Sequence, residues 1–368
     1  MSRELSLDEI VTEFLLSTCR RCPPSRSRHA VRAALYCGGL ATARPDDDVD
    51  TERIRIALTT GSVAEFYIEP ILPHLGDIDV MFYDNTDLAI PRGHPSPSHL
   101  PAEFHNCVYA FEIIDSLLLP GYVYLELRYI LTQCSGDDNY NAVEHDKGTY
   151  LSNQSFNTEA EIHGPAAVLR PQGRSVMLLI DQDLVPCMRC LSWTPQAADW
   201  PTRHRNYGWP DSATIDRVVS NGCDVVGVAN RLLRQNELMG KYQWRLSFSR
   251  AEIVLINSWM PVQQIVYHAL RFFIKATLFT DCLDNSGAGR LSNYHIKTLM
   301  LWGCELKSKS WWACDVNLMD ICVQLLHMLA EWLTSRWCQH YFVNNCNLID
   351  NALNLTNDKD QLSSIDNT

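Results

Sequence analysis

The chain has 368 residues, 46% of them hydrophobic, ample for a substantial core organised as two or three domains or as two closely packed lobes. Its 31 Lys and Arg against 43 Asp and Glu leave a net charge of −12, which argues against general affinity for nucleic acid and leaves only a local basic patch open. Fourteen cysteines, behind an N-terminus without a basic-then-apolar leader (Met1-Ser2-Arg3-Glu4-Leu5), indicate a reducing compartment, with the cytoplasm as the expected location.

In chain order, residues 5–16 read as a helix, with Ile10, Val11, Phe14 and Leu15 at helical spacing and Ser6 as its cap. Pro23-Pro24 ends it, and residues 29–37 read as a second helix closed by Gly38-Gly39. Arg20, Arg21, Arg26, Arg28, Arg32 and Arg44 form the one notable basic block, with no acidic residue from 19 to 44. Asp46-Asp47-Asp48 and Asp50 follow as a solvated loop. Residues 53–82 read as strand, turn, helix and strand, and residues 84–106, rich in Pro, Asn, Asp and His, as loop. The most apolar run, 108–127, holds Glu112, Asp115, Pro120 and Glu126, so no membrane partner is expected. Strands are expected at 122–131 and 175–180, separated by a polar segment, 133–156, that reads as a mobile insertion. From Asp211 the pattern turns helical, with amphipathic stretches at 213–221, 261–278, 292–302 and 317–335, before a polar tail at 356–368 that reads as disordered. The expected fold is α+β and bilobal: a mixed β-sheet catalytic lobe, a C-terminal helical lobe, and a cleft between them suited to ligands. The expected divisions are 1–45 (N-terminal, helical and basic), 46–210 (core lobe), 211–355 (helical lobe) and 356–368 (tail).

The chemistry concentrates in Gly61-Ser62 and, fifteen residues later, Asp77-Ile78-Asp79. Residues i and i+2 of a strand share a face, so Asp77 and Asp79 project together among apolar Ile78, Val80, Met81 and Phe82. Two carboxylates at that spacing make a hard oxygen site for Mg²⁺, which favours carboxylates combined with substrate phosphates. A glycine–serine turn presents backbone N–H groups and a hydroxyl to those phosphates. Metal-dependent nucleotidyl transfer is the chemistry implied. The strand at 176–180 leads into Asp181-Gln182-Asp183, and on spacing both aspartates qualify as a third acid for two-ion catalysis. The Cys-x-x-Cys pairs, Cys19/Cys22 and Cys187/Cys190, lie far apart, and no structural zinc is expected.

With four further blocks, these residues resemble the Mab-21 family and, within it, enzymes similar to cyclic GMP–AMP synthase. The blocks are Asp183-Leu184-Val185-Pro186, Trp244-Arg245-Leu246-Ser247-Phe248-Ser249, Leu291-Ser292-Asn293-Tyr294-His295-Ile296-Lys297-Thr298 and, more weakly, Tyr341-Phe342 with Asn347-Leu348-Ile349-Asp350. In order and spacing the resemblance covers about residues 50–352. It selects Asp183 over Asp181 and implies two Mg²⁺ or Mn²⁺ ions held by Asp77, Asp79 and Asp183. It also implies that Gly61 and Ser62 meet phosphate, that Lys275 meets the triphosphate, that Tyr294 stacks on the donor base, and that Arg245 and Ser247 face the acceptor base. Asn293 stands where a second serine is common, and an amide still donates to phosphate. His295 and Lys297 are expected to pack or be solvated, and Trp244 and Phe248 to anchor the core. No histidine-and-cysteine zinc thumb follows the tryptophan block, so the element that helps grip double-stranded DNA is missing. The implied activity joins two ribonucleoside triphosphates (ATP, GTP or others) into a cyclic dinucleotide second messenger in innate immune sensing. Its product would be read by a receptor of the stimulator-of-interferon-genes type. Double-stranded RNA lying along Arg20, Arg21, Arg26, Arg28 and Arg32 is the expected activator, although the net charge of −12 suits a non-nucleic-acid one better. The alternative is a non-catalytic Mab-21-type nucleotide-binding adaptor.

Overall fold

The computed structural model describes residues 9–10, 12–13, 54–61, 64, 78–153, 162–163, 166–168, 182–230, 237–280, 291–313 and 318–349. The basic block at 19–44, the helix read at 29–37, the strand expected at 175–180 and the tail at 356–368 lie outside them, as does most of the helix read at 5–16.

Eleven strands are described: β1 (Arg55–Thr60), β2 (Ile78–Asp84), β3 (Asp87–Pro91), β4 (Cys107–Asp115), β5 (Tyr122–Gln133), β6 (Tyr140–Glu144), β7 (Ile162–His163), β8 (Ala166–Val168), β9 (Gln182–Cys190), β10 (Cys223–Val226) and β11 (Gln243–Ser247). The sheet is mixed. β2 lies between β1, antiparallel, and the first half of β9, parallel. The chain then steps aside at Asn85 and Thr86, and β3 pairs parallel both with the far end of β9 and with β4. Antiparallel pairings continue from β4 to β5, β11, β10 and back to β9, so this part of the sheet closes on itself. Seven helices follow the same numbering: α1 (Ser212–Ser220), α2 (Glu237–Tyr242), α3 (Ser249–Asn257), α4 (Pro261–Thr280), α5 (Asn293–Leu306), α6 (Lys309–Trp312) and α7 (Leu318–Ser335).

The alternation of side chains along the strands divides the interior in two. One face of the sheet, with Leu125, Met188, Val225 and Trp244, packs on Leu255 of α3, Val266 of α4, Leu299 of α5 and Leu325 of α7. The other face gathers Met81, Tyr83, Leu88, Val108, Leu131, Cys187 and Val226. Each fully buried large side chain, such as Trp244 or Leu125, contributes about 1.5–3 kcal/mol. A polar latch ties the segment after β9 to the helices. Arg203 stacks between the rings of Trp302 and Tyr341 at 4.5 and 4.8 Å, and Glu305 Oε2 accepts from Arg203 Nη2 and from the Tyr341 hydroxyl, both at 2.7 Å.

The amphipathic stretches at 213–221, 261–278, 292–302 and 317–335 correspond to α1, α4, α5 and α7. Local chemistry starts them: the Asp211 carboxylate accepts the Thr214 N–H at 2.7 Å, and Pro261 occupies the first position of α4. Three readings need correction. Residues 84–106 contain β3, whose Leu88, Ala89 and Ile90 are buried through pairing with β4 and β9. The insertion expected at 133–156 contains β6, which pairs along β5 and buries only Tyr140, so its composition stays polar. Past residue 211 the chain is not purely helical, because β10 and β11 complete the sheet. Cys187 and Cys190 stand three apart on β9, on opposite faces, and do not converge. No helix among the described residues is long and apolar enough to cross a membrane.

Candidate active site

Gly61 follows β1 directly and has φ +60°, the left-handed region that glycine enters without strain. A Cβ at this position would lie 1.8 Å from Asp79 Oδ2 and 2.7 Å from Asp79 Cγ. The Asp79 carboxylate therefore occupies the space that any side chain at position 61 would need. Register explains the proximity: Thr60 stands opposite Asp79 on β2, and its hydroxyl donates to the Asp79 carbonyl at 3.4 Å. Across the other edge of β2, Asp79 stands opposite Asp183 in the parallel pairing with β9. Asp77 and Ser62 lie outside the described residues, as do the side chains of Asp183 and Lys275 and the whole of Arg20, Arg21, Arg26, Arg28 and Arg32.

The same register carries this face across the sheet. Position 183 shares a face of β9 with Cys187, Cys187 pairs with Val226, and Val226 pairs with Arg245. Asp79, Asp183, Arg245 and Ser247 thus occupy positions on one face. Ser247 Oγ lies 4.0 Å from Met81 Sδ and shares a 3.1 Å hydrogen bond with Ser249 Oγ at the start of α3. Beside them Asp224 is wholly buried, with Arg250 Nε at 2.9 Å and Arg189 Nη1 at 3.8 Å, which pins α3 to β10 and β9.

Tyr294 and Asn293 open α5, with Asn293 exposed. The preceding Ser292 N–H donates to His295 Nδ1 at 3.0 Å, so His295 carries its proton on Nε2 and donates it to the Leu348 carbonyl at 3.3 Å. His295 thereby closes the helix end rather than facing substrate. The Tyr294 hydroxyl lies 3.0 Å from His340 Nε2, and the nearby Glu252 of α3 accepts from Lys297 Nζ at 2.9 Å through its Oε2. Burial pushes the phenol well above its ordinary value, and Glu252 adds to the effect against the pull of Lys297 and Arg245. Burial, reinforced by Arg245, brings the His340 imidazole down to about 3. Half-buried Arg245 donates no hydrogen bond to a described residue, although its charge is felt at Tyr294, His340 and Cys346.

Lys297 of the 291–298 block packs here against Glu252, and Glu252 and His340 join these groups from outside the blocks read in the sequence. Glu252 is the one acid within the otherwise apolar 251–256 stretch, and Lys297 the one cation among the apolar residues of α5, which is a usable local signal. His340 offers none.

Among the described residues no three His, Cys, Asp or Glu side chains converge on a metal position. Asp77 and the Asp183 carboxylate fall outside that set, and the donor chemistry, carboxylates on adjacent strands at one register level, suits a hard divalent cation.

A curled mixed sheet that pairs aspartates across β2 and β9, followed by a helical segment, defines the class of protein. Residues 101–258 match the Mab-21 protein nucleotidyltransferase domain, and residues 264–365 match the Mab-21 protein HhH/H2TH-like domain. The chain belongs to the Mab-21 family. It is similar to a protein mab-21-like of Aedes aegypti, 29% identical over 45% of this chain and 43% of that one. It is similar also to a protein mab-21-like 3 of Danio rerio, 26% identical over 50% of this chain and 43% of that one. The protein male abnormal 21 of Caenorhabditis elegans is 24% identical over 43% of this chain and 42% of its own length. The chain thus spans less than half the length of these relatives.

Proposed function

We propose that this chain is a metal-dependent nucleotidyltransferase that joins two ribonucleoside triphosphates into a cyclic dinucleotide second messenger, switched on by a ligand in innate immune sensing. The observation that carries the reading is the seat of the Asp79 carboxylate: it fills the space beside left-handed Gly61 and stands in register with Asp183. The match to a nucleotidyltransferase domain supports it. Asp77, Asp79 and Asp183 would hold Mg²⁺ or Mn²⁺, two ions, which would supply charge neutralisation for the donor phosphates and activation of the acceptor ribose hydroxyl. The chain's own residues supply position and charge, the main sources of catalysis in phosphoryl transfer. Gly61 and Ser62 would offer a backbone N–H and a hydroxyl to the donor phosphates, and Lys275 would neutralise the triphosphate. Tyr294 stacks on the donor base, Asn293 donates beside it, and Arg245, which donates no hydrogen bond to a described residue, faces the acceptor base together with Ser247. The acceptor hydroxyl attacks the donor α-phosphorus, the bond to the bridging oxygen breaks, pyrophosphate leaves, and a second transfer closes the ring. Double-stranded RNA at Arg20, Arg21, Arg26, Arg28 and Arg32, a cytoplasmic location, and a product receptor of the stimulator-of-interferon-genes type complete the proposal.

The test is full-length protein with all four nucleoside triphosphates and Mg²⁺ or Mn²⁺, with and without double-stranded RNA or DNA, products followed by mass spectrometry. A nuclease-resistant cyclic dinucleotide that disappears in an Asp77→Asn/Asp79→Asn variant is the expected result. The second reading is a non-catalytic Mab-21-type nucleotide-binding adaptor. An adaptor binds triphosphate and releases no pyrophosphate under any activator.

A further inference from the structure

We propose that His340 is a positioning residue: it grips the Tyr294 hydroxyl and so fixes that ring as a preformed stacking platform for a nucleotide base. The inference rests on the nucleotidyltransferase reading above and goes beyond it, because His340 reaches the nucleotide only through Tyr294.

The geometry admits one protonation pattern. His340 is 8% exposed, and its Nδ1 accepts two backbone N–H groups, those of Phe342 and Val343, each at 3.1 Å. A ring nitrogen that accepts carries no proton, so the single proton of the neutral imidazole sits on Nε2 and points at Tyr294 Oη, 3.0 Å away. The Glu252 charge acts on the phenol and is itself paired with Lys297 Nζ at 2.9 Å. The hydroxyl accepts from His340, and the ring cannot swing without breaking that bond.

The segment bearing His340 is itself clamped. The His340 N–H donates to the Cys346 carbonyl and the Leu348 N–H to the Cys338 carbonyl, both at 2.8 Å. Phe342 stacks on Phe248 with centroids 4.6 Å apart, and the Tyr341 hydroxyl is held by Glu305. The titratable and charged groups facing the imidazole are Tyr294 on α5 and Arg245 on β11. An aromatic platform held in this way binds a base without the entropy cost of immobilising a free side chain.

Two isosteric changes separate this role from simple support of the fold. His340→Asn keeps an acceptor near the Nδ1 position for Phe342 and Val343 and removes the donor to Tyr294. His340→Gln extends a donor toward Tyr294. Full-length variants are titrated with α,β-methylene ATP and Mn²⁺ by calorimetry, with thermal melting alongside. The expected result is binding weaker by about three- to tenfold in His340→Asn, binding within about twofold of wild type in His340→Gln, and no further loss when His340→Asn is added to Tyr294→Phe. Equal affinity of His340→Asn and wild type overturns the inference, as does an additive loss in the Tyr294→Phe background. A wild-type chain that binds no triphosphate refutes the nucleotidyltransferase reading itself, and the inference with it.

Discussion

Replacing Gly61 with alanine tests the seat of the Asp79 carboxylate. The new Cβ would start 1.8 Å from Asp79 Oδ2, so the carboxylate must retreat by about 1.5 Å to reach ordinary contact. The backbone at φ +60° adds strain, since a left-handed L-residue costs about 1–2 kcal/mol. The two effects act on different observables. Strain lowers the unfolding free energy by about 1–2 kcal/mol and is read from a urea titration. Displacement acts on turnover, where a misplacement of about 1 Å in a reacting constellation costs roughly 100-fold. Gly61→Ala is therefore expected to remain folded and to lose about 100-fold or more in pyrophosphate release. Asp79→Asn serves as the comparison, since it removes the metal-binding charge without strain at position 61. Activity of Gly61→Ala within twofold of wild type, in a protein that melts normally, would refute the claim that this carboxylate is the working one.

Three other outcomes are expected. Asp79→Asn and Asp183→Asn each cut pyrophosphate release by about 10²–10³-fold while leaving the thermal midpoint at or above the wild-type value; a shared collapse of the melting curve would instead make them structural. Glu305→Gln removes a buried charge that holds Arg203 at 2.7 Å and Arg205 at 3.4 Å and is expected to destabilise by about 3 kcal/mol; an unchanged denaturation midpoint would count against that latch. His340, whose folded value of about 3 lies below the 6.5 of a free imidazole, binds fewer protons folded than unfolded between those limits. Stability should rise with pH across that window and be lost as pH falls through it, and His340→Asn should flatten the slope by up to one proton, as read from urea midpoints at a series of pH values.

What the sequence displays and what it hides separates along the length scale of the interaction. The helices α1, α4, α5 and α7 are legible because each buries one stripe at helical period, a property contained in a dozen adjacent residues. β3 is not, because Leu88, Ala89 and Ile90 are a three-residue apolar run among Pro, Asp and Asn, and their burial is conferred by β4 and β9. β6 hides because one of its five residues, Tyr140, is buried, and β10 because four residues are too few to show a period.

The candidate site divides in the same way. Gly61 and the Asp77–Asp79 spacing are visible as local motifs, whereas the fit of the Asp79 carboxylate against Gly61 depends on the register of β1 with β2, and the partnership of Asp79 with Asp183 on the register of β2 with β9. His340 is the extreme case. Its two acceptor contacts are local, to Phe342 and Val343, and could belong to any capped turn; its donor contact reaches back 46 residues to Tyr294. The local pair sets the tautomer, and the tautomer makes the distant contact directional. The same dependence makes the contact testable by one side chain: an asparagine preserves the local half, a glutamine the distant half, and only the distant half should matter to a bound base.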